Sequence, residues 1–184
     1  MKVTINPPVQ ILLLPSLFYG ILAIFCLWFG FKHDSYSLPI RGLFLSFGIV
    51  IWTFIEYLTH RFLSHLQIFS KWHDHSIHHK DPNNPNEIVF RIRDSFLPAL
   101  IIFALIYLCS ESINVSLAIF SGALIAYIIH EWIHFGSHFW KAKTRLGKFL
   151  YETHHRHHFK NPNKDFGISN PLWDFIFGTL SRKH

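Results

Sequence analysis

From Ile11 to Phe31 the chain runs for 21 residues without a charged side chain. As a helix this run is about 31 Å long, enough to cross the hydrocarbon core of a bilayer. It is too long for a signal-peptide core and has no convincing small-residue cleavage site, so it is read as retained. Three further apolar stretches follow, at about 42–63, 96–109 and 115–135. The 96–109 stretch has only 14 residues, and a short span or a re-entrant segment both suit it. Ser110-Glu111-Ser112-Ile113-Asn114 joins it to the next as a tight helical hairpin. Composition agrees: half the residues are apolar and 15% are charged, against about 25% in an ordinary soluble domain. Such a chain is too apolar for intrinsic disorder. Cys26 and Cys109 both lie in apolar runs, which excludes a disulfide scaffold. The expectation is an all-α integral membrane protein forming one domain over 1–184. About four transmembrane helices would carry a cytoplasmic, helical, histidine-rich cap built from segments 64–94 and 136–184.

The net charge of +6 raises nucleic-acid binding as an alternative. The positions of the basic residues argue against it. Lys71, Lys80, Arg91 and Arg93 lie between stretches two and three, nine more Lys and Arg follow residue 135, and only Lys32 and Arg41 separate stretches one and two. The positive-inside rule puts the N-terminus, the 64–94 segment and the C-terminal third in the cytoplasm. The charge is therefore a topology signal facing anionic headgroups, and no nucleic-acid partner is expected.

Thirteen of the fifteen histidines fall in four windows totalling 27 residues: 60–65, 73–79, 130–138 and 154–158. Residues at i, i+3 and i+4 share a helix face. His75, His78 and His79 therefore converge, as do His154, His157 and His158, while His130 and His134 sit one turn apart. His155 is about 100° around the helix from His154, and His73 about 160° from His75, so both point away. His138 continues the stripe of His130 and His134, and its role stays open. His60 and His65 are about 140° apart on a regular helix and need a helix end, a bend or two metals. A lone His at a membrane helix end is ordinarily an interfacial or hydrogen-bonded residue, and His33 and His184 are read that way. Four such windows meeting at one membrane face point instead to a shared metal site.

Ten imidazoles exceed what one tetrahedral zinc uses, so the count implies two metals. Imidazole suits iron and zinc alike, but zinc changes no redox state, and an imidazole-rich dimetal site at a membrane face fits oxygen activation by iron. His130-Glu131-Trp132-Ile133-His134 also spells H-E-x-x-H, the zinc metalloprotease pattern with Glu131 as general base. That reading leaves the other three windows unexplained. In the oxygenase reading Glu131, and Glu56 one turn before His60, are outer partners that orient ligand imidazoles. Glu56, Arg61 and Glu131 should be paired or near the interface, given the cost of charge within a bilayer.

The pattern resembles the fatty acid hydroxylase and sterol desaturase superfamily of membrane di-iron enzymes. The resemblance covers about residues 42–180 and rests on Glu56-Tyr57-Leu58-Thr59-His60-Arg61-Phe62-Leu63-Ser64-His65, His75-Ser76-Ile77-His78-His79, His130-Glu131-Trp132-Ile133-His134 and His154-His155-Arg156-His157-His158, with the tail from Phe166 to Thr179. It implies ten ligands: His60, His65, His75, His78, His79, His130, His134, His154, His157 and His158. His73, His138 and His155 are left out. In the tail, Asn170-Pro171 favours a turn, and Leu172, Trp173, Phe175, Ile176 and Phe177 suit a membrane interface.

The resemblance further implies two Fe ions as cofactors, with zinc able to occupy the site in a purified form, and a membrane lipid or fatty acyl substrate. O2 and electrons from a separate cytochrome b5-like or ferredoxin-like donor complete the expected reaction, hydroxylation beside the carboxyl carbon. A carotenoid ring hydroxylase or sterol-modifying oxidase is the alternative, then the H-E-x-x-H protease, then a non-catalytic metal-binding or transport protein. Compactness favours a bacterial inner membrane over the endoplasmic reticulum, with the metal site on the cytoplasmic face.

Overall fold

The structure, a computed structural model, describes residues 9–32, 35–64 and 75–181. Among these, all regular structure is helical. In chain order the elements are α1 (Gln10–Lys32), α2 (Leu38–Leu58) continued by a π-helical turn (Thr59–Leu63), α3 (His75–Lys80), a 3-10 turn (Pro85–Glu87), α4 (Ile92–Ser110), α5 (Ile113–Phe139), α6 (Arg145–Phe159) and α7 (Leu172–Ile176). Four of these segments, Gln10–Lys32, Leu38–Leu63, Pro85–Ser110 and Ile113–Phe139, are long and apolar enough to cross a membrane.

The 14-residue stretch at 96–109 is only part of α4, which has 19 residues and is about 28 Å long. Arg93 and Asp94 occupy its first turn, where their charges break the apolar run without breaking the helix. This is why hydropathy alone places the start too late. α5 likewise continues past residue 135 to Phe139, so residues 92–94 and 136–139, expected in the cap, belong to long helices. The α4–α5 connection is as tight as expected. Glu111 adopts the left-handed conformation (φ 52°) that ends α4, and the Ser112 hydroxyl accepts from the Val115 N–H to start α5.

α5 is the central helix, packed against α1, α2 and α4. Its face meets Tyr19, Ala23 and Cys26 of α1 and Ile106 of α4 around Ile119, Phe120, Leu124 and Tyr127. The α2–α5 crossing is close because both partners are glycines. A Cβ on Gly48 would lie 1.8 Å from the Ile119 carbonyl oxygen, and one on Gly122 would lie 2.1 Å from that of Leu45. Such crossings favour small residues, since in lipid dispersion rather than water exclusion holds helices together. The outer faces of α1, α2 and α4 stay apolar and exposed, with Leu14, Ile24, Leu43, Phe47, Ile101 and Leu108 pointing outward. That pattern suits contact with lipid tails.

Candidate metal centre

The cap brings imidazoles together from four places. The π-helical turn supplies His60, α3 supplies His75, His78 and His79, α5 supplies His134 and His138, and α6 supplies His154, His157 and His158. They form two groups, each with its ligand atoms within 4.8 Å of one another and each able to hold a metal ion: His78, His134, His138, His154 and His158, and His60, His75, His79 and His157. The H-x-x-H-H patterns of α3 and α6 serve both groups. His75 and His79 face one while His78 faces the other; His157 and the pair His154/His158 divide the same way.

The chemistry of the second group fits a cation. His60 Nδ1 lies 2.5 Å from the Phe166 carbonyl oxygen and His157 Nδ1 lies 2.7 Å from that of Lys164. A carbonyl only accepts, so Nδ1 carries the proton in each ring and Nε2 is left as a lone pair. Those lone pairs point inward, His60 Nε2 at 3.0 Å from His75 Nε2 and His157 Nε2 at 3.2 Å from His79 Nε2. His79 Nε2 is also 3.1 Å from His75 Nε2. In the first group His134 Nε2 lies 3.1 Å from His78 Nε2, and neither ring nitrogen of His158 has a hydrogen-bond partner among the described residues. Burial, then the neighbouring imidazoles, hold His154 and His158 well below the ordinary imidazole range. Both rings are therefore neutral, the form that binds a metal.

The tail from Lys164 to Thr179 braces these rings, and of the residues that brace it only Glu56 was marked by the sequence. The Glu56 carboxylate accepts from the Ile168 and Ser169 backbone N–H groups at 2.6 and 2.7 Å and from the Ser169 hydroxyl. Asp174 accepts from the Phe166 and Gly167 N–H groups at 2.9 and 2.6 Å and from the Thr179 hydroxyl at 2.6 Å. Asp165 takes Arg156 of α6 at 3.1 Å and the Ser181 N–H at 2.8 Å. No spacing rule marks these acceptors, because their partners are mostly backbone groups brought near by the fold. Trp173 packs on Phe54 and donates to the Thr53 hydroxyl at 3.1 Å, while Leu172, Phe175, Ile176 and Phe177 are exposed as an interfacial segment would be.

Eight of the ten residues expected as ligands lie in the two groups. His65 lies outside the described residues, as does His73. His130 is in neither group. Its Nδ1 is 3.1 Å from Glu56 Oε2 and its Nε2 is 3.8 Å from Glu131 Oε1. The reason is angular: residue 138 is rotated about 80° from residue 130, and α6 approaches α5 on the side of the later turns. His155 stays out, stacked on Tyr151 with Nδ1 donating to the Tyr151 carbonyl at 3.1 Å. Glu131 accepts from the Phe90 N–H at 3.1 Å rather than facing either group. His130 and His134 thus do not turn their nitrogens to one centre, and the protease geometry is not formed. Arg61 is paired as expected, donating to the Tyr57 hydroxyl at 2.7 Å.

Long apolar helices crowned by paired imidazole groups define a membrane-type helical protein with two histidine groups able to hold metal. Residues 45–179 match the family model for fatty acid hydroxylase, and the chain belongs to that family. It is 33% identical over 150 residues to dihydroceramide fatty acyl 2-hydroxylase FAH2 of Arabidopsis thaliana, covering 78% of this chain and 63% of the relative. It is 35% identical over 154 residues to human fatty acid 2-hydroxylase, covering 76% of this chain and 40% of the relative. The chain therefore spans less than two thirds of the length of these relatives. A structure of full-length scs7p, in which only the hydroxylase domain is visible, shares the fold with a TM-score of 0.83 at 22% identity, covering 91% of this chain and 66% of that one.

Proposed function

We propose that this chain hydroxylates a fatty acyl group of a membrane lipid at the carbon next to the carboxyl carbon, using O2 and electrons from a separate donor. The observation that carries this is the pair of imidazole groups gathered around the ends of two membrane-length helices. Two iron ions would supply the oxygen chemistry that zinc cannot. His60, His75, His79 and His157 would hold one, and His78, His134, His154 and His158 would belong to the site of the other. Glu56 fixes the tail whose Phe166 carbonyl orients His60, and Glu131 steadies the start of α4 through Phe90. The names of the relatives favour a fatty acyl substrate over a carotenoid or a sterol.

The acyl chain is assigned to a groove on the flank of α5. An apolar groove of about 450 Å³ runs between α5 and α6, lined by Ile129, Ile133, Trp132, Trp140 and Leu150 with Lys141 on its wall. Ser137, also in its lining, donates to the His134 carbonyl at 2.7 Å, so the groove abuts the turn that carries the imidazoles. The distribution of Lys and Arg supports a cytoplasmic face for this site.

Comparative lipidomics of cells with the active chain and with His78→Ala, grown under labelled O2, tests the reading. A 2-hydroxy acyl lipid carrying one labelled oxygen is expected only with the active chain. A hydroxylated carotenoid, or metal flux with no oxygen-dependent product, would overturn it.

A further inference from the structure

The connection between α5 and α6 carries a charge pattern that neither the imidazole groups nor the packing of the helices uses. Lys141, Lys143, Arg145 and Lys148 fall within eight residues, and no acidic residue stands between Glu131 and Glu152. All four are exposed, and none makes an ion pair among the described residues. The Thr144 hydroxyl accepts from the Gly147 N–H at 3.0 Å and starts α6 there, which holds the cations close together. Arg145 and Lys148 even sit in the first turn of α6, which holds no acidic residue, although the helix dipole at that end favours acids. Local structure works against these charges, so what balances them lies outside the chain. Two apolar side chains stand among the cations: Trp140 is 40% exposed and Leu146 is 63% exposed. Basic residues interleaved with exposed Trp and Leu suit a surface that is anionic outside and apolar beneath.

Placement selects a lipid surface over an acidic protein. α5 has 27 residues and is about 40 Å long, which matches the ~40–45 Å of a bilayer with its headgroups. The linker before it, 110–114, has no Lys or Arg, whereas its other end runs directly into segment 140–148. A helix that begins at one headgroup layer therefore delivers the four cations to the other. We propose that segment 140–148 is a docking surface for the anionic headgroups of the leaflet in which α5 ends, with Trp140 and Leu146 seated beneath the phosphates. Lys141, Ala142 and Gly147 also line the apolar groove between α5 and α6, so this docking holds the mouth of the groove at the bilayer surface. The inference rests on charge, exposure and helix length, and is independent of the hydroxylase reading.

The test uses the full chain in nanodiscs of phosphatidylcholine with added phosphatidylglycerol. A fluorophore is attached at Leu146→Cys in a Cys109→Ser background, Cys26 being buried. Nitroxide-bearing forms of the two lipids then quench it in turn. One Lys or Arg at a charged surface is worth about a fivefold preference, so the anionic quencher should be favoured at least about fivefold. The preference should fall towards one at about 1 M salt, where the screening length is ~3 Å, and in the Lys143→Gln/Arg145→Gln/Lys148→Gln variant. A label at Leu108→Cys, an exposed position of α4 beside the 110–114 linker, should show no preference. Equal quenching by the two lipids at position 146, or a preference that survives the triple variant, would overturn the proposal. So would a label that neither lipid quenches, which leaves the segment in water as a surface for an acidic protein. If the triple variant fails to fold, the salt titration decides alone, and a preference independent of salt refutes the docking.

Discussion

Replacing Glu56 with alanine is expected to damage both stability and metal retention, although Glu56 is not itself a ligand. Its carboxylate accepts two backbone N–H groups, from Ile168 and Ser169, where the site is buried. A buried donor without an acceptor costs about 1–3 kcal/mol, so two orphaned N–H groups cost about 2–6 kcal/mol. That is a large part of the ~5–15 kcal/mol that holds an ordinary domain together. The segment set loose includes Phe166, whose carbonyl fixes the His60 tautomer, so metal affinity should fall by about 10–100-fold, the usual effect of losing an outer partner. Glu56→Gln keeps one acceptor oxygen and should cost only about 1–2 kcal/mol. Denaturant titration and chelator competition on the solubilised protein measure the two effects. An alanine variant within ~0.5 kcal/mol of wild type, or a glutamine variant as damaged as alanine, would refute the reasoning.

Gly48→Ala forces a methyl group against the Ile119 carbonyl and should cost about 1–3 kcal/mol, seen as a reduced yield of monodisperse protein. Stripping metal with a chelator should lower the thermal midpoint, since ions held by assembled imidazoles stabilise the folded chain alone, and re-adding iron should restore it. The metal-free protein should lose stability as pH falls through about 6.5 and below. His154 and His158 are kept neutral in the fold, while the unfolded chain takes up protons there, so acid favours unfolding. A midpoint that rises on acidification would contradict that burial.

The apolar runs revealed the membrane-length helices because a long uncharged stretch has few other uses. The i, i+3, i+4 spacing put the imidazoles of α3 and α6 on one helix face, but each trio divides between two groups instead of converging on one. The five-residue interval from His60 to His65 called for a helix end, a bend or two metals; a π-helical turn stands at Thr59–Leu63, and His65 lies outside the described residues. Sequence order was blind where the answer lay in rotation between helices. His130, His134 and His138 form one stripe on paper, and only the approach of α6 decides which of them share a centre. It was blind also to Asp165, Asp174 and Ser169, whose roles depend on backbone groups folded back against them.

The hydrogen bond from His60 to Phe166 joins residues 106 positions apart, and that from Ile168 to Glu56 joins residues 112 apart. Translated into the order of synthesis, α2 enters the membrane carrying a carboxylate and an imidazole whose partners do not yet exist. At ~5–20 residues per second the ribosome takes about 5–20 s to supply them. The helical hairpin of α4 and α5 is made in that interval, but the ring orientations that suit a metal are set only when the tail arrives. The second imidazole group can therefore reach its metal-binding arrangement only after Lys164 and Phe166 have been made.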